Sequence, residues 1–269
     1  MTAADIDAPL PRTRADLRPV LLVLALAAIA LPLVGSFSTW VTLTFAGLAM
    51  GMIIFIVASG MTLVFGLMDV LNFGHGLFIA IGAYMAATVL GSMADWTQSG
   101  SLWLNLAAVL PALIVGMLVA GAVGVAFERV IVRPVYGQHL KQILITMGGM
   151  IIGEEIIKML WGPQTLSLPL PDALRGAVLV GDAAIEKFRI VALVVGLGVL
   201  GGMLWLLNRT KLGLLIRAGV EDREMVESLG YRIRHLFVGV FVAGSMLAGL
   251  GGVLLSLIHI SEPTRPERI

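Results

Sequence analysis

Apolar residues dominate seven long stretches of the chain, and shorter polar segments separate them. A helix needs about 20 predominantly apolar residues to cross the roughly 30 Å hydrocarbon core of a bilayer. The pattern therefore predicts an all-α, polytopic transmembrane helix bundle of about seven spans. The spans are expected at residues 19–35, 42–67, 73–93, 102–127, 140–161, 190–207 and 236–257.

The composition agrees with a membrane protein. Of the 269 residues, 58% are hydrophobic and 13% are charged, and the mean hydropathy is +0.98, whereas soluble domains carry about 25% charged residues. A net charge of +1 gives no field that would gather nucleic acid, so no nucleic-acid partner is expected. Without cysteine, and with four scattered histidines, the sequence predicts no metal site and no cofactor in this chain.

The basic residues indicate the orientation of the bundle. Twelve of the 18 Lys and Arg lie in residues 1–18, 128–141 or 208–235, whereas segments 36–41 and 94–101 contain none. Because short cytoplasmic loops are enriched in Lys and Arg, we expect a cytoplasmic N-terminal segment, 1–18, ahead of a transmembrane domain, 19–257. The proline-containing segment 162–189 is then expected to be a loop on the external surface.

Glycines at helical spacing predict close helix packing. Gly47/Gly51, Gly149/Gly153 and Gly198/Gly202 are GxxxG pairs, and Gly244/Ala248/Gly252 is a ladder with the same spacing. Small residues four apart let two membrane helices approach closely. Ordinary bundle packing is one interpretation, and sliding or hinge surfaces for alternating access are the other.

Polar side chains interrupt the apolar pattern at two places. In the fifth stretch, Glu154 and Lys158 are four residues apart, so they form a structural ion pair or Glu154 is a substrate-contacting or proton-carrying carboxylate. Between the second and third stretches, Asn72 and His75 lie among glycines. This spacing suits either a broken re-entrant segment that lines a cavity or a tight cytoplasmic turn.

The connection 208–235 is the most polar internal segment. Between Ala218 and Leu229 it has helical periodicity, with Ala218, Met225, Val226 and Leu229 on one side, although Asp222 breaks the pattern. Gly230 then follows where a helix end favours a left-handed residue. We expect a short amphipathic helix that either lies on membrane lipid or docks a cytosolic partner.

Several separated motifs, in order, resemble the LivH-type permease subunit of branched-chain amino-acid importers of the ATP-binding-cassette class. The motifs are Asp69-Val-Leu-Asn-Phe-Gly-His-Gly76 with Gly82-Ala-Tyr84, then Glu128-Arg-Val-Ile-Val-Arg-Pro134 with Thr146, Glu154, Glu155 and Trp161-Gly162, and finally the run from Thr210 to Gly230. The likeness covers residues 20–257. The permease branch for urea and short amides is similar nearly as closely.

The resemblance implies a transport subunit, not an enzyme, in the bacterial cytoplasmic membrane. Its partners would be a second, homologous permease subunit, cytosolic ATP-binding subunits and a periplasmic solute-binding protein. The chain itself has no G-x-x-x-x-G-K-[ST] phosphate-binding loop. The resemblance also gives the expected site residues: a substrate pathway with Asn72, His75, Gly76, Thr146 and Glu154, and an ATPase-coupling loop 208–235 with Arg217, Glu221, Asp222, Glu224, Leu229 and Gly230.

Two further expectations complete the sequence-based interpretation. Residues 258–269 carry two prolines and several charges and do not resemble a membrane span, so we expect a non-native tail and a truncated family domain. The alternative from another functional class is an ion-coupled secondary carrier that acts alone, with Glu154, Glu155 and His75 as proton or substrate sites.

Overall fold

A computed structural model describes residues 18–163 and 170–259, and almost all of it is helical. The predicted segment 1–18 and the predicted tail 258–269 lie almost entirely outside the described residues. The first six helices are α1 Arg18–Val34, α2 Phe37–Met68, α3 His75–Ser92, α4 Ala94–Thr97, α5 Leu102–Phe127 and α6 His139–Trp161. The remaining helices are α7 Lys187–Arg209, α8 Lys211–Glu221, α9 Arg223–Ser228 and α10 Ile233–His259.

Each of the seven predicted stretches coincides with one long helix. Five segments are long and apolar enough to cross a membrane: Phe37–Met68, His75–Ser92, Leu102–Val135, Lys187–Arg209 and Ile233–Ile258. The other two helices are α1, whose apolar part Leu21–Val34 is short, and α6, which contains four charged residues. The structure thus supports a polytopic helical membrane protein with five such helices among the described residues.

Helix α10 lies at the centre of the bundle and packs against α2, α3 and α5. Phe78, Phe127 and Phe241 join three of these helices, with ring centroids 5.4 to 6.2 Å apart. Around these rings the backbones approach very closely. A methyl group on Gly244 would lie 2.6 Å from the carbonyl oxygen of Gly60, and one on Gly252 would collide with the backbone of Ile79.

The predicted glycine motifs therefore divide into two groups. The ladder Gly244/Ala248/Gly252 is confirmed as a packing surface, and Gly149 and Gly153 contact side chains of neighbouring helices. In contrast, Gly47/Gly51 and Gly198/Gly202 have nothing within 4 Å of an added methyl group. Packing within the described part of the chain is thus a wrong prediction for these two pairs, because both face open space.

The connection before α7 is more ordered than the predicted loop. After a 3-10 turn, Asp172–Leu174, strands β1, Ala177–Val180, and β2, Ala183–Glu186, form an antiparallel hairpin in which Val178 pairs with Ile185. Side chains of β2 alternate between buried and exposed positions, and Leu170 and Leu174 join the hydrophobic core. The prediction of a simple loop is wrong here. The alternation in β2 covers only four residues, which is too short to stand out in the sequence.

Three polar connections meet at one end of the bundle, which we call the basic end. They are residues 69–74 after α2, residues 128–138 after α5 and residues 210–232 after α7. The second of them begins with a π-helical turn, Glu128–Val132, and a 3-10 turn, Arg133–Val135. Tyr136 of the second connection contacts Phe237 near the start of α10, and Phe73 of the first connection bonds Thr146 on α6.

Candidate functional site

The connection 69–74 is a tight turn at the basic end, as in the second of the two alternatives that the sequence left open, and its cytoplasmic position stays a prediction. Asp69 ends α2 in the left-handed region, with a φ of 53°, and its N–H donates to the carbonyl of Phe65. Asn72 is buried, and its Oδ1 accepts a hydrogen bond of 3.0 Å from the N–H of Gly74. The Asn72 side chain therefore shapes the turn itself.

Thr146 fastens this turn to α6. Its Oγ1 accepts a hydrogen bond of 3.2 Å from the N–H of Phe73 and donates one of 2.6 Å to the carbonyl of Gln142. Thr146 is fully buried. One hydroxyl group thus satisfies a backbone donor from the turn and links two elements that are 73 residues apart.

His75 fastens the start of α3 to the middle of α2. Its Nε2 lies 3.1 Å from the carbonyl oxygen of Val57, and the ring is buried. The neighbouring Gly76 faces the sulfur of Met150 on α6. The structure therefore brings four of the five predicted pathway residues, Asn72, His75, Gly76 and Thr146, to one region, where they hold α2, α3 and α6 together.

Glu154 lies apart from this region, and the predicted Glu154–Lys158 pair is wrong. Lys158 Nζ lies 2.6 Å from Glu155 Oε1, and both of these side chains are more than half exposed. Glu155 and Lys158 are three residues apart, so the same helical geometry that allowed the predicted pair also allows this one. The pair is exposed and therefore contributes little to stability.

A buried carboxylate, which the sequence interpretation quoted within a motif but gave no role of its own, lies at the end of α5. Glu128 has no exposed surface, and its Oε1 accepts a hydrogen bond of 2.5 Å from the hydroxyl of Tyr136. Burial, and next the Glu128 carboxylate, raise the pKa of the Tyr136 phenol, so the phenol stays protonated and donates. The available signal in the sequence was an acidic residue, Glu128, at the edge of an apolar run. Its partner Tyr136 could not be found from α-helical spacing, because a π-helical turn lies between the two residues.

Three atoms near the basic end have unmet hydrogen-bonding capacity. They are Asn72 Nδ2, Glu128 Oε2 and Gln142 Oε1, which are buried and have no partner within residues 18–163 and 170–259. Gln142 uses its other polar atom, Nε2, to donate to the carbonyl of Val135. Buried polar groups are nearly always paired. This end of the bundle therefore has hydrogen-bonding capacity that contacts among the described residues leave unused.

Two open cavities lie beside α7, and none of the five predicted pathway residues lines either of them. The larger, about 750 Å³, lies between α2, α7 and α8 and is lined by Ser59, Thr62, Arg217 and Glu221 among apolar residues. The smaller, about 450 Å³, separates α7 from α10, and its lining is apolar apart from His235. Sequence reasoning missed Ser59 and Thr62 because single hydroxyl residues are common in membrane helices.

The predicted coupling helix is two helices. Asp222 has an extended backbone between α8 and α9, and its Oδ1 accepts a hydrogen bond of 2.9 Å from the N–H of Met225. Because this N-cap restarts the helix, the predicted common apolar face is wrong: Val226 is buried, whereas Met225 is 49% and Leu229 67% exposed. Gly230 has a φ of 85°, which confirms the predicted left-handed position.

The family model described as "Branched-chain amino acid transport system / permease component" matches residues 43–265. The chain belongs to this family. The permease is 30% identical to the high-affinity branched-chain amino acid transport system permease protein BraD of Pseudomonas aeruginosa over 216 residues, which are 78% of this chain and 69% of that protein. No solved structure matches it.

The LivH permease proteins are further relatives. That of Escherichia coli K12 is 29% identical over 222 residues, and that of Salmonella typhimurium is 28% identical over 221 residues; each match covers 80% of the permease and 70% of its relative. These matches confirm the resemblance found in the sequence motifs. They also confirm the prediction that its relatives are amino-acid transport permeases.

Proposed function

We propose that the permease is a transmembrane subunit of an ATP-binding-cassette importer for branched-chain or other hydrophobic amino acids. It pairs with a second, homologous permease subunit in the bacterial cytoplasmic membrane and receives solute from a periplasmic binding protein. ATP is hydrolysed in separate cytosolic subunits, so this chain needs no cofactor. The observation that carries the proposal is the family match, which extends from α2 through α10 and includes α8 and α9.

In this proposal the basic end faces the cytoplasm and the hairpin faces outward. Helices α1 and α6 cross the membrane with the five more apolar helices, which gives seven spans with the N-terminus inside. The support is the charge distribution, because residues 128–141 and 208–235, at the basic end, contain nine of the 18 Lys and Arg residues. The hairpin at the opposite end exposes Val178, Leu179 and Val180, which offers an apolar surface to the binding protein.

The ATPase docks on what we call the coupling surface, residues 222–231. It exposes Met225, Leu229 and Tyr231 together with acidic side chains such as Glu224. An anionic lipid surface would repel these acidic groups, whereas a protein partner can cover apolar and charged groups together. Arg217 and Glu221, on α8, lead into this surface, and Asp222 and Gly230 fix its backbone at each end.

The predicted pathway residues act in this proposal by shaping the inner end of the pathway. Asn72, His75, Gly76 and Thr146 hold the turn between α2 and α3 against α6, and the unmet donor of Asn72 is the group most able to contact a passing solute. Glu154 is half-buried on α6. It stays a predicted pathway residue, and it lies about two helical turns farther from the basic end than Thr146 does.

Replacement of Leu229 by aspartate tests the coupling surface. The variant would be expressed with its partner subunits, and we expect it to insert in the membrane but to lose most co-purifying ATPase, because a charge would be buried in the contact. Leu179→Asp is the matched control, since this leucine is 73% exposed at the opposite end of the bundle. Equal ATPase recovery from both variants would contradict the docking proposal.

Uptake of labelled leucine tests the transport proposal itself. We expect uptake to stop when cellular ATP is depleted and to depend on the binding protein. Uptake that a protonophore abolishes but ATP depletion leaves intact would instead identify the ion-coupled carrier. Competition by urea or acetamide, with no competition by isoleucine, would identify the urea and short-amide branch.

A further inference from the structure

The cavity between α2, α7 and α8, which we call the lateral groove, opens on the side of the bundle. Phe55, Leu63 and Leu67 of α2, Met203 of α7 and Ile216 of α8 are among its apolar lining residues. Its volume is about 750 Å³. Because its α2 lining includes the exposed residues Ala58, Thr62 and Gly66, hydrocarbon chains of the bilayer can enter the groove from the side of the bundle.

The length of the lateral groove matches one leaflet of a membrane. Its α2 lining extends from Phe55 to Leu67, which is about 18 Å along a helix that rises 1.5 Å per residue. Half of the hydrocarbon core of a bilayer is about 15 Å. In the orientation proposed above, the groove therefore runs from the middle of the membrane to the headgroup level, and it is several times longer than the side chain of a free amino acid.

Two opposite charges lie at the headgroup end of the groove. Arg217 and Glu221 are one helical turn apart on α8, and both line the groove. Their side chains do not form an ion pair with each other, and the Nη1 of Arg217 donates instead to the carbonyl oxygen of Leu207, the last turn of α7. A guanidinium has five N–H donors, so this bond fixes the position of Arg217 and leaves other donors for a ligand.

We propose that the lateral groove binds a zwitterionic phospholipid with a primary ammonium, of the phosphatidylethanolamine type. The phosphate contacts Arg217, the ammonium contacts Glu221, and one acyl chain lies along α2. Residues four apart on a helix are separated by about 5–6 Å, a spacing that suits the two charges of one headgroup. The proposal rests on the groove and its charges and does not depend on which solute is transported.

The charges also discriminate between lipids. Phosphatidylglycerol has a phosphate for Arg217 but no cation for Glu221, which would repel the anionic headgroup at close range. A headgroup contact near the membrane surface contributes a factor of about five in affinity, equivalent to about 1 kcal/mol per charge. We therefore expect phosphatidylethanolamine to be retained about fivefold more strongly than phosphatidylglycerol by one site on the full chain.

Native mass spectrometry of the permease with equal amounts of the two lipids measures this preference. Glu221→Gln is expected to remove the fivefold preference, and Arg217→Gln is expected to weaken retention of both lipids about fivefold. Glu224→Gln is the matched control, because Glu224 is an exposed acid on α9 that does not line the groove. Retention that is equal for both lipids in the unaltered protein overturns the proposal, and so does a preference that survives Glu221→Gln.

Two further measurements distinguish other occupants of the groove. If an excess of L-leucine displaces bound phosphatidylethanolamine, the groove is a solute site instead. If Thr62→Cys cross-links to the second permease subunit in the assembled complex, the groove is a protein contact. If a variant fails to fold, the thermal midpoint of the unaltered protein decides. Phosphatidylethanolamine should raise this midpoint more than phosphatidylglycerol, and an equal rise refutes the site.

Discussion

Replacement of Gly82 by alanine should destabilise the bundle more than its size suggests. A methyl group at this position of α3 would lie 2.7 Å from the Cα of Gly249 on α10 and closer still to the carbonyl oxygen of that residue. Carbon atoms in good contact are about 3.5–4.0 Å apart, so the two helices must separate by about 1 Å or bend.

The cost can be set against a matched glycine. Overpacking of this kind costs about 1–3 kcal/mol, occasionally more, whereas alanine in place of an unconstrained helical glycine gains about 0.5–1 kcal/mol. Gly47 lies inside α2 with nothing within 4 Å of an added methyl group, so Gly47→Ala should be neutral or slightly stabilising. Because both glycines lie inside helices, the gain from alanine is common to the two variants, and they should differ by the overpacking cost, about 1–3 kcal/mol in unfolding free energy.

The difference in unfolding free energy can be measured on the isolated permease in mixed detergent micelles. The fraction of denaturing detergent is raised, and unfolding is followed by circular dichroism. The close approach of α3 and α10 is the whole basis of the expected result. Equal unfolding midpoints for Gly82→Ala and Gly47→Ala would refute that close approach.

Three further predictions concern single hydrogen-bonding side chains. Tyr136→Phe should destabilise the permease by about 1–3 kcal/mol, because it leaves buried Glu128 without its donor. Since folding raises the pKa of the phenol, the unaltered protein should lose stability as the pH rises above about 10. Melting curves at several pH values should show that the variant lacks this loss. Asn105→Ala should speed hydrogen exchange in residues 96–101 and 173. The Asn105 Nδ2 group donates to the carbonyls of residues 96, 99 and 101, and its Oδ1 accepts from the N–H of residue 173. Replacement of the exposed Asn208 by alanine is the control, and unchanged exchange in Asn105→Ala contradicts the prediction. Thr146→Val should expose the N–H of residue 73 to exchange at a cost of about 1–3 kcal/mol, whereas Thr146→Ser should not, and equal exchange in both variants would show that the hydroxyl is not the anchor.

The helices were predictable because the bilayer imposes a length on them. Each apolar stretch of 17 residues or more became a helix with ends within a few residues of the expected positions, as for 102–127, which is α5. The single coupling helix was not predictable in the same way. Helical periodicity continues across Asp222, but the N-cap bond from Met225 competes with it, and periodicity alone does not weigh the two.

The glycine positions show why motif spacing is an incomplete signal. Gly47/Gly51 and Gly244/Gly252 are equally regular in the sequence, but only the second set faces another backbone. What distinguishes them is a partner glycine on a different helix, such as Gly60 opposite Gly244. That pairing depends on the arrangement of helices distant in sequence. In the same way, Asn72 and Thr146 were predicted as pathway residues one by one, but their joint role in one turn required the fold.

The junction of α7 and α8 explains how an event at the coupling surface would reach the cavities. Only Thr210 separates the two helices; its hydroxyl caps α8 at Gly213, and a methyl group on Gly213 would collide with the backbone of Leu207. Arg217 adds a bond to the same carbonyl. Helix α8 is therefore held rigidly to α7.

Helix α9, in contrast, follows a break at Asp222 and packs toward α10, where buried Val226 accepts a hydrogen bond from the N–H of Tyr231. A force on the coupling surface thus divides between two helices that bound the cavity of about 450 Å³. Because α7 and α10 make few direct contacts, their separation can change without breaking the central packing of α10 on α3 and α5. In the proposed importer, closure of the ATPase subunits would act first on the width of this cavity.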